Sequence, residues 1–467
     1  MRRFLTLLIA VLMLLGALSS CGDQPENPSA SSELPGSESA DPSSGSEPDT
    51  EPETEPEEPL PGPDKPLYEH VYEATEDGSF TICGIPLAEY SMVLFYPGLE
   101  VYDQMDRKLL LSWLKDPISL ATGSELEFKV VKNEKYDTAK WAEHEILFGS
   151  NFRREGMPEA DSRKSYYGVT ADGTVYFSSP SPMLYRHMWQ LFLEEFFGVP
   201  YGSGEQSGGC TVTECYREMP NISEALLKQQ GYEIVFADEF EGDSLNLNVW
   251  ESCSSGPRRG GFNSISQVKV EDGKMIISGE YLENGEFGPG WYACMVALKQ
   301  TYARGYFKAV IKCAERLRRS GHFWSAFWIE GPSPYNAEQS QGGIGEGGAE
   351  IDIMEHWGQD LFSCTVWVAG YKGNEGLDKD VFEVFDTGND YMQEYHTFAL
   401  IWDEISYKFY LDDVLVAYTD FGHGTSHVEE QVILSLEIPG EMDIQPGTVR
   451  EMLVESVEIW QKPAAEE

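Results

Sequence analysis

The sequence predicts two folded units behind a disordered amino-terminal tether: a small α+β unit, then an all-β sandwich or jelly roll. Its 467 residues are too many for one ordinary domain. Residues 67–222 mix helical and alternating apolar patterns. Residues 231–462 show short alternating segments separated by Gly, Asn and Asp, with little helical periodicity. That last pattern is typical of a sandwich or jelly roll.

The amino terminus has the pattern of an export signal. Arg2 and Arg3 precede an apolar run over 4–18, which is too short to span a bilayer and is typical of a signal peptide. The run ends in Leu-Ser-Ser-Cys, which resembles a bacterial lipobox. We therefore expect a signal over 1–20 and lipidation of Cys21, with an exported protein anchored to the bacterial membrane. A plain secretory signal with an incidental cysteine is the alternative.

Residues 21–66 form the predicted tether, which begins at the lipidated cysteine. The stretch 22–66 contains thirteen Asp and Glu, eleven Pro and one Lys. Such a segment cannot bury enough apolar surface to offset its ordering entropy, so we expect disorder. The whole chain carries a net charge of −46. This charge excludes nucleic acid as a partner, because nucleic-acid binding requires basic side chains that neutralise phosphates.

The unit over 67–222 is predicted to follow the order α-β-β-β-α. The predicted elements are a helix over Asp103–Leu114, strands over Glu125–Val131 and Glu145–Gly149, a hairpin over Tyr166–Phe177 and a helix over Met183–Phe197. Residues 121–124, 145–149 and the closing helix resemble the small accessory domain that precedes the barrel in hexosaminidases and α-glucuronidases. The resemblance implies an accessory module, and a purely structural spacer is the alternative.

The cysteines give a limited constraint. Seven follow Cys21, so at least one is unpaired within the chain. Cys210 and Cys215 are close enough in sequence for a small disulfide loop, although spacing alone does not establish the pairing. None has the spacing of a zinc site.

The segment Glu350-Ile-Asp-Ile-Met-Glu355 carries the strongest chemical signal. Glu350 and Asp352 share one face of a regular strand, whereas Glu355 would fall on the other. A β-bulge at Ile353-Met354 would return Glu355 to the same face, with Ile351 on the core side. Three crowded carboxylates are electrostatically costly, which is typical of a functional site. A solvated acidic strand face is the alternative.

Two carboxylates with different pKa values are the equipment of a glycosidase. Their spacing along one strand suggests a separation of about 5–5.5 Å, which accompanies retention of anomeric configuration. The sequence therefore predicts a retaining glycoside hydrolase.

The second unit resembles glycoside hydrolase family 16 along most of its length. The similar segments, which run in order, are 236–242, 248–250, 302–312, 321–329, the bulged motif at 350–355, 395–402, 409–413 and 452–460. The resemblance implies a concanavalin-like jelly roll that requires no cofactor. It also implies that Glu350 is the nucleophile, Glu355 the acid/base and Asp352 the residue that holds and tunes them.

Aromatic side chains are expected to line the glycan cleft, because sugar rings have apolar faces. In the strand over 322–329, His322, Trp324 and Trp328 share one face, which we assign to the cleft. Trp291, Trp357 and Trp367 are further candidates for substrate contact, with core packing as the alternative for all of them. His396 and Trp402 are predicted to be core residues.

Three positions depart from the family pattern. Trp367 stands where many relatives have a His near the cleft, and Lys308 replaces a frequent Glu. Glu455 replaces the Asp that, with a counterpart of Glu239, helps to hold a structural calcium in many members. Glu can also bind calcium, so Glu239 and Glu455 are candidate ligands.

The sequence thus predicts a surface-anchored, monomeric, retaining endo-β-glycanase that acts on β-1,3-glucan or mixed-linkage β-1,3/1,4-glucan. An agar or galactan hydrolase of the same fold is one alternative. The other is a catalytically silent glycan-binding lipoprotein. Because the folded part is acidic, a neutral polysaccharide is favoured over an acidic one.

Overall fold

The computed structural model describes residues 73–96, 111–132, 140–149, 154, 156–159, 161, 163–199, 208–317, 320–385, 387–421 and 424–463. The predicted signal at 1–20, Cys21 and the predicted tether lie outside the described residues. So does most of the helix predicted over Asp103–Leu114. Within the part of the chain that is described, no helix combines the length and apolar character needed to cross a bilayer.

The described residues of the first unit contain ten strands and two α-helices, and a third helix follows at 224–229. The strands are β1 (Glu73–Ala74), β2 (Phe80–Ile82), β3 (Ile85–Pro86), β4 (Tyr90–Tyr96), β5 (Glu127–Lys132), β6 (His144–Phe148), β7 (Tyr166–Val169), β8 (Val175–Ser178), β9 (Cys210–Val212) and β10 (Cys215–Glu218). The helices are α1 (Asp116–Thr122), α2 (Tyr185–Phe197) and α3 (Glu224–Gln229).

Two sheets organise this unit. Strands β1-β9-β2-β3 form a small sheet, and β10-β7-β8-β6-β4-β5 form a larger mixed one. The predicted hairpin is confirmed as β7 and β8, which pair antiparallel with Tyr166 opposite Ser178. The predicted closing helix is confirmed as α2, which ends at Gly198 in the left-handed region, where glycine is favoured.

The predicted order α-β-β-β-α is wrong, because it omits the short strands β1–β3, β9 and β10 and also the longer strand β4. This strand lies inside the larger sheet and pairs parallel with both β5 and β6. Its sequence is a continuous run of mostly apolar residues, which is typical of a buried parallel strand and lacks the alternation that marks a half-exposed one. The cysteine pairing left open above is also settled. Among the described residues, no disulfide joins Cys210 to Cys215 or includes any of the other five cysteines.

The second unit is an all-β sandwich of two sheets, which confirms the predicted fold class. Its strands are β11 (Glu233–Asp238), β12 (Trp250–Ser252), β13 (Gly256–Arg258), β14 (Gly261–Asn263), β15 (Val268–Val270), β16 (Met275–Leu282), β17 (Gly290–Ala293), β18 (Met295–Leu298), β19 (Gly305–Lys312), β20 (Trp324–Glu330), β21 (Glu350–Gly358), β22 (Leu361–Ala369), β23 (Leu377–Phe385), β24 (His396–Trp402), β25 (Tyr407–Leu411), β26 (Val414–Thr419), β27 (Gln431–Glu437) and β28 (Arg450–Gln461). A short helix, α4 (Ala337–Ser340), precedes β21.

The two sheets enclose one large apolar core. Eleven strands form the first sheet in the order β13-β14-β17-β16-β28-β19-β24-β25-β26, with β11 on β28 and β15 on β16. Seven strands form the second in the order β12-β18-β27-β20-β21-β22-β23. Phe307 from the first sheet and Phe327 from the second are fully buried in the shared core. Trp402 and His396 are buried as predicted.

The first unit packs against the outer face of the eleven-stranded sheet. Trp460 and Tyr306 of that sheet belong to the same buried apolar cluster as Trp189 of α2. The ring of His187 on α2 stacks on Tyr418 at the end of β26, with a centroid distance of 3.6 Å and an angle of 9°. The two units are therefore joined by a continuous apolar contact.

Candidate active site

Strand β21 contains the bulge predicted from the sequence. Against β20, Asp352 lies opposite Trp328 and Met354 lies opposite Phe327, so Ile353 has no partner there. Against β22, the register jumps from Asp352–Thr365 to Glu355–Ser363. The extra residue shifts the side-chain alternation by one position, which places Glu355 on the face of Glu350 and Asp352.

The other face of β21 anchors the bulge in the core. Ile351, Ile353 and Met354 are all at most 1% exposed. The buried thiol of Cys364 on β22 donates to the Ile353 carbonyl at 3.2 Å. This contact satisfies a backbone acceptor at the irregular position, so Cys364 stabilises the bulge that orients the carboxylates.

Two indole N–H groups hold the carboxylates in place. Trp324 Nε1 donates to Glu355 Oε1 at 3.1 Å, and Trp367 Nε1 donates to Asp352 Oδ2 at 3.0 Å. Glu350 and Glu355 are half-buried, and Asp352 is buried. The alternative of a solvated acidic strand face does not agree with this burial.

Burial raises the pKa of all three carboxyls, and the charges of nearby carboxylates raise it further. For Glu350, burial is the larger cause, followed by the negative charges of Glu330 and Glu355. For Asp352, burial is followed by the charges of Glu355 and Glu350. The pKa of Glu355 is raised mainly by burial, whereas the Trp324 hydrogen bond acts to lower it. The three groups titrate together and resist carrying three charges at once.

A fourth carboxyl group, Glu330, adjoins the site. It lies opposite Glu350 in the β20–β21 register. Burial raises the pKa of Glu330 to about 7, although the charge of Arg258 acts to lower it. The sequence analysis did not identify this residue.

Two arginines reach the site from the hairpin of β13 and β14. Arg258 Nη2 lies 2.9 Å from Glu437 Oε2, and Arg259 also donates to that carboxylate. Glu437 lies opposite Trp324 at the end of β27 and is only 5% exposed. The positive charges of Arg258 and Arg259 act to lower the pKa of Glu350. These residues were missed because about 180 residues separate the ion-pair partners, and no local pattern links them.

The ion pairs reverse the effect of burial on Glu437. Burial alone would raise its pKa, but Arg258 and Arg259 outweigh that effect and lower the pKa to about 2. A carboxyl whose folded-state pKa is depressed stabilises the fold above its unfolded pKa of about 4.3. That stability is lost as the pH falls through the folded-state value.

We therefore expect Glu437→Gln to lower the free energy of unfolding by about 3 kcal/mol at pH 7, because it leaves the half-buried Arg258 guanidinium without its anionic partner. Denaturant unfolding of wild type and variant from pH 7 to pH 3 measures this difference. The difference in the free energy of unfolding between the two proteins should become smaller below about pH 4.3. A difference in the free energy of unfolding that is constant with pH would show that the ion pairs do not contribute to stability. Glu251→Gln, on β12 of the same sheet, is a matched control.

The predicted aromatic residues divide into two groups. Trp324 and Trp357 stack with their centroids 5.7 Å apart, and Trp367 lies beside Asp352. These three surround the carboxylates. Trp291 lies on β17 of the other sheet, with its ring edge-to-face against Phe323 at 5.9 Å.

Trp328 and His322 were assigned to the cleft, but both side chains are buried. Trp328 is on the predicted face, but it is only 8% exposed and packs in a small cluster with Met295, Ala297 and Ile433. Its Nε1 donates to Ser435 Oγ at 3.1 Å. His322 is 5% exposed. Both side chains therefore pack beside the site and offer little surface to a ligand.

Arg316 is a further residue that sequence reasoning missed. It is 2% exposed, and its Nη1 donates to the carbonyls of His322 and Phe323. Its guanidinium lies 5.5 Å from the ring centroid of Trp324 and 5.0 Å from that of Trp357. The cation thus fixes the two stacked rings beside Glu355.

The structure does not confirm the candidate calcium ligands. Glu239 and Glu455 are both exposed, and they supply only two carboxylates. Among the described residues, no group of three or more His, Cys, Asp or Glu side chains is arranged to hold a metal ion. Calcium takes about six to eight oxygen ligands, so these two side chains alone do not make up a site, and no chemical step is assigned to a metal.

Residues 263–427 match the family model "Glycosyl hydrolases family 16". This stretch contains the bulged strand and all three carboxylates, and the match supports the family resemblance inferred from the sequence.

Two glucan endo-1,3-beta-glucosidases are similar to part of the chain. One is "Glucan endo-1,3-beta-glucosidase" of Cryptopygus antarcticus, 30% identical over 193 residues, which cover 38% of this chain and 65% of the relative. The other is "Glucan endo-1,3-beta-glucosidase A1" of Niallia circulans, 24% identical over 209 residues, which cover 39% of this chain and 28% of the relative. The chain thus spans less than two thirds of either relative.

Among solved structures, the chain is similar to the catalytic domain of an endo-1,3-beta-glucanase (laminarinase) from Thermotoga petrophila. The TM-score is 0.41 at 17% identity, and the alignment covers 50% of this chain and 99% of that one.

Proposed function

We propose that this protein is a retaining endo-β-glycanase that hydrolyses β-1,3-glucan or mixed-linkage β-1,3/1,4-glucan. One observation carries the proposal: Glu350, Asp352 and Glu355 are brought to one face by the bulge, and their pKa values are all raised. A protein that only bound glycan would gain nothing from the cost of crowding three carboxyls. The family match and the two glucanase relatives support the substrate class.

In the first step, the Glu350 carboxylate attacks the anomeric carbon and forms a glycosyl ester while the bond to the leaving oxygen breaks. Glu355 gives its proton to that oxygen. Its raised pKa keeps it protonated for this task. Glu350 must instead be ionised, and Arg258 and Arg259 favour its charged form.

In the second step, the Glu355 carboxylate takes a proton from water as the water oxygen attacks the anomeric carbon. The ester bond breaks and Glu350 returns to a carboxylate. Asp352, held by the Trp367 indole, lies between the two glutamates in sequence and shares their face. The charges of Glu355 and Glu350 in turn raise the pKa of Asp352, so we assign it a positioning and tuning role.

Release of reducing ends from laminarin, barley glucan and agarose tests the proposal directly. Activity on either of the first two supports a glucanase, and activity on agarose alone would indicate the galactan alternative. Binding without hydrolysis of any of the three would indicate a lectin-like protein and overturn the proposal.

Trp324→Phe is expected to move the basic limb of the pH–rate profile upward by about 0.5–1 unit. The indole N–H stabilises the charged form of Glu355, so its removal raises the pKa of that carboxyl. A general acid with a higher pKa stays protonated to a higher pH. The profile of kcat/KM on laminarin measures the shift.

Trp328→Phe is a matched control, because that indole lies on the same strand and donates to a serine. A basic limb that stays in place in Trp324→Phe, or moves equally in both variants, would show that the hydrogen bond does not tune Glu355.

We also propose that Cys21 is lipidated and holds the protein at the bacterial cell surface through the segment 22–66. The apolar run and the Leu-Ser-Ser-Cys sequence support this anchoring. Incorporation of labelled palmitate into wild type but not into Cys21→Ser is expected. Labelling of both proteins, or of neither, would contradict the anchor.

A further inference from the structure

A cavity of about 550 Å³ lies at the junction of the two units. Helix α2 of the first unit supplies Arg186, His187 and Gln190. The edge strand β23, the turn over 371–373 and the end of β26 supply the other walls. The cavity therefore requires both units, and its volume lies in the range of small-molecule sites.

The walls combine aromatic rings with both hydrogen-bond donors and acceptors. Tyr371 and Phe421 meet edge-to-face at 4.9 Å, and Tyr418 stacks on His187. The charged lining residues are three cations and three carboxylates: Arg186, Lys372, Lys379, Asp378, Asp380 and Asp420. Burial lowers the pKa of His187 to about 3, so this ring is neutral.

This chemistry selects among ligand classes. Three carboxylates disfavour a phosphate or sulfate, and three cations disfavour a metal ion. A neutral sugar fits both features, because its hydroxyls donate and accept hydrogen bonds while its ring faces pack on aromatic side chains.

The cavity is connected to the carboxylates through Lys379. This side chain lies over the Trp367 ring, with Nζ 4.2 Å from the centroid. Trp367 in turn donates to Asp352. In the sheet register, Lys379 lies opposite Trp367, which lies opposite Glu350. Glu350, Trp367 and Lys379 thus form a row across three adjacent strands. The row spans two strand spacings, about 10 Å, from Glu350 to the cavity wall.

We propose that the junction cavity binds a distal sugar unit of the same glycan chain that is cleaved at Glu350. This inference rests on the proposed function. It gives the first unit a role in substrate recognition, because α2 forms one wall of the site. A glycan that crosses the strands from Glu350 past Trp367 and Lys379 enters the cavity, whereas a short substrate ends before it.

The test compares kcat/KM for laminarin with that for an aryl β-laminaribioside, using the full chain. Gln190→Trp fills the cavity from the α2 wall, and the ratio of the long to the short substrate should fall about tenfold. Gln229→Trp, on the exposed face of α3, makes the same exchange away from the cavity and should keep the wild-type ratio.

Lys372→Ala is a second variant whose fold is not at risk, because this lysine is exposed on the opposite wall. It should lower the ratio in the same direction, whereas Lys299→Ala, an exposed lysine outside the cavity, should not. If wild type hydrolyses both substrates and the ratios of Gln190→Trp and Lys372→Ala match their controls, the cavity inference is wrong and the proposed function stands. If wild type hydrolyses neither substrate, both are overturned.

Discussion

Glu350→Gln is expected to reduce hydrolysis of β-glucan by at least about 10³-fold, because an amide cannot attack the anomeric carbon. The same change should raise Tm by about 2 °C or more, since it removes a half-buried carboxyl that is repelled by Glu330 and Glu355. Loss of activity with a gain in stability distinguishes a functional residue from one that supports the fold.

Glycan assays and thermal melts of Glu350→Gln measure both effects. Glu241→Gln is a matched control, because Glu241 is an exposed carboxylate of the same unit. It should change neither activity nor Tm. Retained activity in Glu350→Gln would exclude it as the nucleophile, and a fall in Tm would show that its charge supports the fold.

Glu355→Ala is expected to give different results on two kinds of substrate. Hydrolysis of laminarin should fall by about 10²–10⁴-fold, because no group protonates the leaving sugar. The dinitrophenolate of a dinitrophenyl glycoside leaves without a proton, so the glycosyl ester should still form. The second step still lacks its base, and we expect a burst of about one dinitrophenolate per protein, then slow turnover.

Stopped-flow absorbance measures the burst, and Glu350→Gln should show none. Equal losses on laminarin and on the dinitrophenyl glycoside, without a burst, would contradict the acid/base role of Glu355.

The sequence predicted the three carboxylates because they lie within six residues of one strand. Strand geometry and a single bulge were enough to bring them together, and the β21 register confirms that bulge. The predicted all-β class also holds, because short alternating segments directly encode a two-faced sheet. In both cases the relevant information is local.

The surrounding charges could not be predicted in this way. Arg258 and Glu437 are joined only by the way the β13–β14 hairpin meets the end of β27. The overall charge of −46 suggested an acidic cleft, yet Arg258, Arg259 and Arg316 lie among the carboxylates. Net charge therefore says little about the field at this site.

The alternation of side chains along a strand also does not show how deeply each side chain is buried. It placed Trp324 and Trp328 on one face, which is correct, but Trp328 is covered by neighbours from β18 and β27. Of these two rings, Trp324 donates to a carboxylate and Trp328 donates to a serine. In the first unit, β4 escaped prediction because a strand that is buried on both faces has no alternation to detect.

The most direct test of the central claim is to trap the glycosyl ester on the full chain. A dinitrophenyl 2-deoxy-2-fluoro-β-laminaribioside should release dinitrophenolate and glycosylate the protein quickly, and the glycosyl ester should hydrolyse slowly. Peptide mass mapping then locates the sugar. We predict one adduct, on the side chain of Glu350. An adduct on Glu355 or elsewhere, or hydrolysis that proceeds with inversion and no adduct, would contradict it.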